Sequence, residues 1–336
     1  MAIWAYLVRR LCLMLPVLVG ATIIVFLITN VLPGDPVSLR LGPHATAAQI
    51  TYVREKWGLD KPLPVQYFRY MIGVLHGDFG TSVETRRSVL SDLRVYFPAS
   101  LELSTSSMIL CLVLGIPLGM LSAVKKDHLW DHFSRIFSLI GVATPLFWLG
   151  FMALLIFYLK LGWFAGGGRI SLQLTTPTQI SGLYVLDSLL SGNWPALKSS
   201  VQHLLLPTFT LSFTLIAYIS RITRASMLDV LCQDYVVTAR SKGLRESVVL
   251  FKHSLRNALL GVITVAGTLY GRLIGSLIIT EMVFNWPGIG RYVVRSILSL
   301  DAKPVLGFTI LIASSFVIIN LLVDILYAVV DPRIIY

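Results

Sequence analysis

Residues 101–123 read LELSTSSMILCLVLGIPLGMLSA, a run in which apolar residues follow one another almost without a break. A helix needs about 20 such residues to cross the roughly 30 Å hydrocarbon core of a membrane. Only helices and closed barrels satisfy their backbone polar groups there, and barrel strands alternate apolar with polar residues. The stretch therefore predicts a membrane-spanning helix.

Similar runs occur along the whole chain of 336 residues, of which 55% are hydrophobic and 13% are charged. This composition is too apolar for a single water-soluble core. The first run follows Arg9 and Arg10 as a signal peptide would, but it is longer and lacks a small-x-small cleavage site, so we expect an uncleaved anchor. We predict an all-α integral membrane protein with six transmembrane helices. The predicted helices cover residues 11–31, 101–123, 136–160, 204–224, 258–282 and 305–330.

The orientation follows from the basic residues of the short loops. If the N-terminus is cytoplasmic, most Lys and Arg of these loops fall on the cytoplasmic side, as the positive-inside rule requires. Both termini are then predicted to be cytoplasmic. The net charge of +11 does not indicate a nucleic-acid partner, because no module that combines basic with aromatic residues is present. The predicted divisions are an N-terminal transmembrane helix at 1–32, an extracytoplasmic domain at 33–98, and a five-helix membrane core at 99–336 with a cytoplasmic loop at 225–257.

The extracytoplasmic domain is predicted to be small and helical. Thr46 and Gln49 have the spacing of a capping box, which begins a helix that Gly58 ends. Pro64 begins a second helix, which ends near Gly77.

A basic, partly polar stretch lies between two of the apolar runs: residues 234–260 read DYVVTARSKGLRESVVLFKHSLRNALL. Apolar residues from Met227 to Val236, around the start of this stretch, have helical spacing. Gly243 is a natural helix stop, and a new helix is predicted to begin near Arg245. The basic residues of this stretch, taken alone, are typical of a solvated cytoplasmic loop. Small residues at Thr238, Ala239, Ser241 and Gly243 favour a second interpretation, in which the backbone of another protein approaches the turn closely.

At this stretch the chain resembles the permease subunits of binding-protein-dependent ABC importers. The general pattern of that family is matched only in part, because its Glu and Pro are missing here. The dipeptide, oligopeptide and nickel branch has its own pattern, close to D-Y-x-x-T-A-R-A-K-G-L, in which Ser241 replaces one Ala. The residues that the resemblance assigns to coupling with an ATPase are Asp234, Tyr235, Thr238, Ala239, Arg240, Ser241, Lys242, Gly243 and Leu244.

Further motifs extend the resemblance from end to end. They are LPGDP at 32–36, GLDKPLPVQYFRY at 58–70, HGDFGTS at 76–82, ATPLFWLG at 143–150 and EMVFNWPGIGR at 281–291. Together they are most similar to the first of the two permeases in dipeptide-type systems.

The resemblance implies a type I importer permease fold in the cytoplasmic (inner) membrane. It also implies a second homologous permease subunit, two ATP-binding subunits and an extracytoplasmic substrate-binding protein. ATP and Mg would bind to the partners, because the sequence contains no GxxxxGK[ST] and the chain is expected to hold no cofactor and to be no enzyme itself. The expected cargo is a di- or oligopeptide, with nickel complexes or glutathione as alternatives. Gly243→Trp or Ala239→Trp is expected to uncouple transport without preventing membrane insertion.

Charged residues in the membrane are candidates for the transport pathway. Arg272, Glu281 and Asp324 lie in or near the last two predicted helices, where a charge faces protein or water. For Arg272 the alternative is a structural pair with an acid. By the resemblance, Trp286, Pro287 and Gly288 form part of an outer gate; the simpler alternative is that Trp286 is an anchor at the membrane edge.

Two other classes of protein remain open on the sequence. A secondary transporter would use an ion gradient instead of ATP, although no internal repeat supports it. A membrane-embedded enzyme would need a nucleophile and a base, and no such motif is present. No metal site is predicted: His128 and His132 lie beside Asp127 and Asp131 in a short loop where we expect exposure to solvent.

Overall fold

A computed structural model describes residues 3–31, 37, 41 and 45–330 of the chain, without the side chains of residues 3–14, 30–31, 56–57, 324 and 326–330. All regular elements in these residues are helices, which confirms the all-α prediction. The one β-type pairing among them is an isolated bridge between Thr81 and Ser88. The motif at 32–36 lies outside the described residues.

The helices are numbered here in chain order. They are α1 Ile3–Val31, α2 Ala47–Trp57, α3 Leu63–Leu75, α4 Val89–Val124, α5 Leu129–Ala143, α6 Leu146–Lys160, α7 Tyr184–Leu190, α8 Trp194–Leu231, α9 Asp234–Ser241, α10 Glu246–Ser276, α11 Ile278–Val283, α12 Ile289–Leu298 and α13 Ala302–Val330.

Four of the described helices, α4, α8, α10 and α13, are long and apolar enough to cross a membrane. The pair α5 and α6 would form a fifth crossing, but it is bent by 102°. The predicted span at 136–160 is therefore not one continuous helix, because the chain bends between α5 and α6. Thr144 is extended and Pro145 has no N–H to continue the helix, so the axis changes direction at these two residues. The first helix, α1, is apolar over its described stretch Leu15–Thr29.

The observed helices differ from the prediction at two ends. The helix α4 begins at Val89 and crosses residue 98, because Asp92 and other polar residues of its first turns interrupt the apolar pattern without ending the helix. The predicted helix at 258–282 ends at Ser276, and the next residues form the separate helix α11.

The local end signals of the 33–98 region are confirmed. The backbone N–H of Gln49 donates to the Thr46 hydroxyl at 3.3 Å, and the Thr46 N–H donates to the Gln49 side chain at 2.9 Å. Gly58 ends α2 with φ +69°. Pro64 lies in the first turn of α3, and Gly77 follows that helix with φ +82°.

The centre of the bundle is the contact between α4 and α8. A Cβ on Gly119 of α4 would lie 2.4 Å from the Ser220 carbonyl oxygen of α8, and one on Gly115 would lie 3.0 Å from Ile219. The helices therefore touch through their backbones, which only small residues permit. Buried residues around this contact include Leu103, Cys111, Ile216 and Ile219.

The bundle has two ends that carry different connections. At one, here named the α9 end, lie α9 and the α4–α5 connection; at the other, the α12 end, lie α3, α7, α11 and α12. The α12 end is tied together by hydrogen bonds such as those that Ser82 Oγ and the Val83 N–H donate to the buried Asp301 carboxylate.

Candidate functional site

The basic stretch forms a helix, a turn and a second helix, as the sequence predicts. Gln233 is extended and precedes α9, and Asp234 places a carboxylate in the positively polarised first turn. After Lys242 the chain turns at Gly243, whose φ of +72° lies in the left-handed region that favours glycine. Arg245 is extended again and α10 follows.

One face of α9 packs against this chain itself. Val236 and Ala239 are buried and contact Val249 of α10, with Leu231 of α8 packed alongside. The short helix is thus fixed to both of the long helices that flank it. The expectation that Ala239 leaves room for another protein is wrong for this residue, because a Trp at Ala239 would have to displace Val236 or Val249.

The rest of the segment is open to solvent. Tyr235, Val237 and Leu244 are exposed apolar side chains, with Val237 at 53% exposure. Arg240 and Lys242 lie among them and are also exposed. Apolar side chains bordered by basic ones are typical of a protein interface. Residues 234–245 are called the docking segment below; Val237 was not among the predicted residues.

Two contacts hold the docking segment in its shape. Arg240 Nη2 donates to Glu246 Oε1 at 2.7 Å across the turn, and this hydrogen bond raises the pKa of the Arg240 guanidinium. The side chains are 43% and 54% exposed, so the ion pair contributes at most about 1 kcal/mol. Asn257 Nδ2 of α10 donates to the Tyr235 hydroxyl at 3.0 Å, which orients the ring.

Among the predicted gate and pathway residues of the α12 end, Glu281, Trp286 and Gly288 are buried around one turn. Glu281 accepts hydrogen bonds from Ser100 Oγ of α4 and, at 2.9 Å, from the Arg291 N–H of α12. Trp286 Nε1 donates to the Ala99 carbonyl at 2.9 Å. Gly288 is also enclosed, since a Cβ there would lie 2.2 Å from Glu281 Cδ. The turn is therefore attached to α4 by buried hydrogen bonds.

This burial corrects two predictions. Glu281 does not face a water-filled pathway in this structure, because its carboxylate is enclosed by α4 and α12. Trp286 is not an anchor at the membrane edge, because only 1% of it is exposed. Pro287 is partly exposed and borders a small cavity of about 100 Å³.

The two other pathway candidates, Arg272 and Asp324, lie on the long helices α10 and α13 and not in the buried turn. Arg272 is exposed on α10, and among the described side chains it has no ion pair. The side chain of Asp324 lies outside the described residues. The described residues contain no group of three or more His, Cys, Asp and Glu side chains that could hold a metal.

Sequence reasoning missed two buried ion pairs. Arg169, in the α6–α7 loop, donates to Glu102 of α4 and lies 3.7 Å from the centre of the Tyr184 ring. Glu102 is the one charged residue in the apolar run at 101–123, and it was the one sign in the sequence that a buried partner such as Arg169 was needed. At the α9 end, Asp131 pairs with Arg224, and the predicted exposure of Asp131 is wrong because its carboxylate is fully buried.

Comparison with known proteins gives matches along nearly the whole chain. The family described as binding-protein-dependent transport system inner membrane component matches residues 115–336, and the N-terminal family of the same membrane components matches residues 3–104. A probable D,D-dipeptide transport system permease protein of Escherichia coli K12 is 43% identical over 334 residues, or 99% of this chain and 98% of that protein.

Two further relatives are similar over the same extent. A dipeptide transport system permease protein of Alkalihalophilus pseudofirmus is 41% identical, covering 99% of each chain. A glutathione transport system permease protein of Salmonella paratyphi A is 38% identical, covering 98% of this chain and 99% of that protein.

These matches confirm the resemblance to ABC importer permeases that the motifs indicate. The family is one of inner membrane components, and the structure has several apolar helices. Together these findings identify a multi-pass protein of the inner membrane. Such a protein works in a transporter complex with other subunits. The chain belongs to the family of binding-protein-dependent transport system inner membrane components.

Proposed function

We propose that this chain is a permease subunit that moves di- or oligopeptides inward, and that its docking segment receives the force from a partner ATPase. The observation that carries the proposal is the two-sided arrangement of α9. Val236 and Ala239 fix the helix to α8 and α10, while Tyr235, Val237 and Leu244 stay exposed. A surface held in this way transmits displacement, which a solvated loop would absorb.

Peptides are the cargo that the relatives support best. The names of the relatives above specify D,D-dipeptides, dipeptides and glutathione, and glutathione is itself a tripeptide. The glutathione permease at 38% identity makes glutathione the second candidate cargo. The selection between these is proposed to rest mainly on the extracytoplasmic binding protein.

We further propose six membrane crossings with both termini in the cytoplasm. The described long helices, the bent pair and α1 together supply that number. The docking segment then lies in the cytoplasm, as its basic residues favour. Residues 33–98 form an extracytoplasmic domain between the helix of 1–32 and the core of 99–336. The turn that contains Trp286, Pro287 and Gly288 lies at the outer gate, and the exposed Arg272 borders the pathway or the second permease.

The other functions of the transporter complex are assigned to partner subunits. They are a second homologous permease, two ATP-binding subunits that hold ATP and Mg, and the binding protein. To move a two-state pathway from 1:99 to 99:1, the partners must supply about 5.5 kcal/mol of differential binding. Closure of the ATPases on ATP would provide it through the docking segment, and hydrolysis would reset the pathway.

The experiment that tests this function is uptake by the complete complex in proteoliposomes. A labelled dipeptide should accumulate only with its binding protein on one side and ATP on the other, and ionophores that collapse ion gradients should leave uptake unchanged. A non-hydrolysable ATP analogue is the matched control and should give no sustained uptake. Uptake that continues without ATP and stops when the gradients collapse would identify a secondary transporter instead.

A further inference from the structure

A buried carboxylate at the α9 end accepts several hydrogen bonds that the proposed function does not use. Asp131 of α5 has no exposed surface. It accepts hydrogen bonds from Ser122 Oγ of α4 at 2.6 Å and from the Asp127 N–H at 3.0 Å. Arg224 of α8 donates to it through both Nε, at 2.7 Å, and Nη2, at 2.9 Å. One side chain thereby joins three helices.

These three helices are also in close backbone contact at the same end. A Cβ on Gly141 of α5 would lie 2.8 Å from the Ala217 Cβ of α8. Ser138 and Ser220 share a hydrogen bond of 3.1 Å, and Ser220 also faces Gly119 of α4. Because close-packed contacts of this kind do not deform continuously, the ends of α4, α5 and α8 form one block.

The docking segment is joined directly to this block. The helix α8 ends at Leu231, and α9 begins at Asp234, so no flexible linker separates them. Leu231 packs against the buried face of α9. Arg224 lies on the same helix, two turns before its end. A displacement of the docking segment therefore reaches Arg224 along a continuous helix, and reaches α4 and α5 through Asp131.

We propose that the Asp131–Arg224 pair positions α4 and α5 on α8, so that all three move with the docking segment as one rigid body. The inference rests on the proposed function, because it assumes that the segment is displaced by a partner. The chemistry suits the role: a guanidinium and a carboxylate that share two parallel hydrogen bonds fix direction as well as distance, which a Lys ammonium does not. Both residues act through the helices that they hold and touch no cargo.

Distance measurements test the rigid body without any change to the pair. One spin label is attached to Cys232, which is exposed at the α8–α9 junction, and a second to His128→Cys in the α4–α5 connection. Cys111 is buried, and Cys12 is replaced by Ser, so that neither is labelled. The two labels report the distance between the α4–α5 connection and α9. In the complete complex, this distance should be the same without nucleotide and with ATP bound. The distance from Cys232 to a label on Leu15→Cys, which is exposed on α1 outside the three-helix block, should change between the two states. Uptake by the labelled complexes is checked first.

The variant Asp131→Asn should then distinguish a role in positioning α4 and α5 on α8 from a role in the stability of the folded chain alone. The variant keeps the shape of the side chain but loses the charge that Arg224 pairs with. We expect the assembled complex to retain basal ATP hydrolysis, to lose uptake at least about tenfold, and to show a 128–232 distance that differs between the nucleotide states. Asp127→Asn is the matched control: Asp127 is exposed, and its φ of +62° is one that Asn adopts readily, so uptake should remain near wild type.

Two outcomes would overturn the inference. One is a 128–232 distance that changes with nucleotide in the wild-type complex, since the block would then not be rigid. The other is wild-type uptake by Asp131→Asn. If that variant fails to assemble, Arg224→Lys, which keeps the charge and loses the paired hydrogen bonds, takes its place with the same expected loss of uptake. Failure of the proposed function has a different signature, namely wild-type uptake that does not need ATP.

Discussion

Gly243→Trp is expected to lower ATP-driven uptake at least about tenfold while the folded chain still assembles in the membrane. A Cβ at Gly243 meets no atom within 4 Å, so no neighbouring atom blocks the new side chain, although the φ of +72° strains any residue other than glycine. The new side chain would occupy the surface at which a partner is proposed to bind. Uptake and ATP hydrolysis by the purified complex, together with the yield of folded chain, measure the effect.

The controls for this variant separate side-chain bulk from backbone strain. Gly192, between α7 and α8 at the α12 end, has φ +66°, and a Cβ there would also meet no atom within 4 Å. Gly192→Trp therefore has the same left-handed strain, about 1–2 kcal/mol, without touching the docking segment. Gly243→Ala has the strain without the bulk. Equal losses of uptake in the two Trp variants would contradict a docking role for Gly243.

Gly288→Ala is expected to destabilise the chain by about 3 kcal/mol or more, which is the upper range for overpacking of a core. The new Cβ would lie 2.2 Å from Glu281 Cδ, so the carboxylate would have to leave Ser100 and the Arg291 N–H. A buried carboxylate without these donors is strongly unfavourable. The thermal stability of the detergent-solubilised protein should fall clearly, with loss of folded material in the membrane.

Gly275→Ala is the matched control for that substitution. Gly275 lies near the end of α10, and a Cβ there meets no atom within 4 Å. The change should be neutral or stabilise the helix by a few tenths of a kcal/mol up to about 1 kcal/mol, because Ala is the better helix former. If Gly288→Ala is as stable as Gly275→Ala, the buried position of Glu281 is wrong.

Features decided by neighbouring residues could be predicted from the sequence. The capping box of Thr46 and Gln49 and the stop at Gly243 depend on a few adjacent residues, and all are in place. The apolar runs predicted the long helices for the same reason. The bend at Pro145 was missed because hydropathy continues across it, although proline itself carried the information.

Features decided by distant residues could not be predicted in this way. Ala239, Glu281 and Trp286 look like surface or pathway residues until the helices that cover them are in place. Asp131 stands in a charged loop, and its burial depends on Arg224, which lies 93 positions away. A charge in such a position gives no local sign of whether it faces water or a partner helix.

The central claim, that residues 234–245 receive a partner ATPase, is tested most directly by crosslinking from within the complex. A photoreactive amino acid replaces Val237, which is exposed on α9, or Leu298, which is 79% exposed at the α12 end. The account predicts an adduct between the Val237 position and an ATP-binding subunit, and none from the Leu298 position. Absence of that adduct from Val237, or its equal formation from Leu298, would contradict the account.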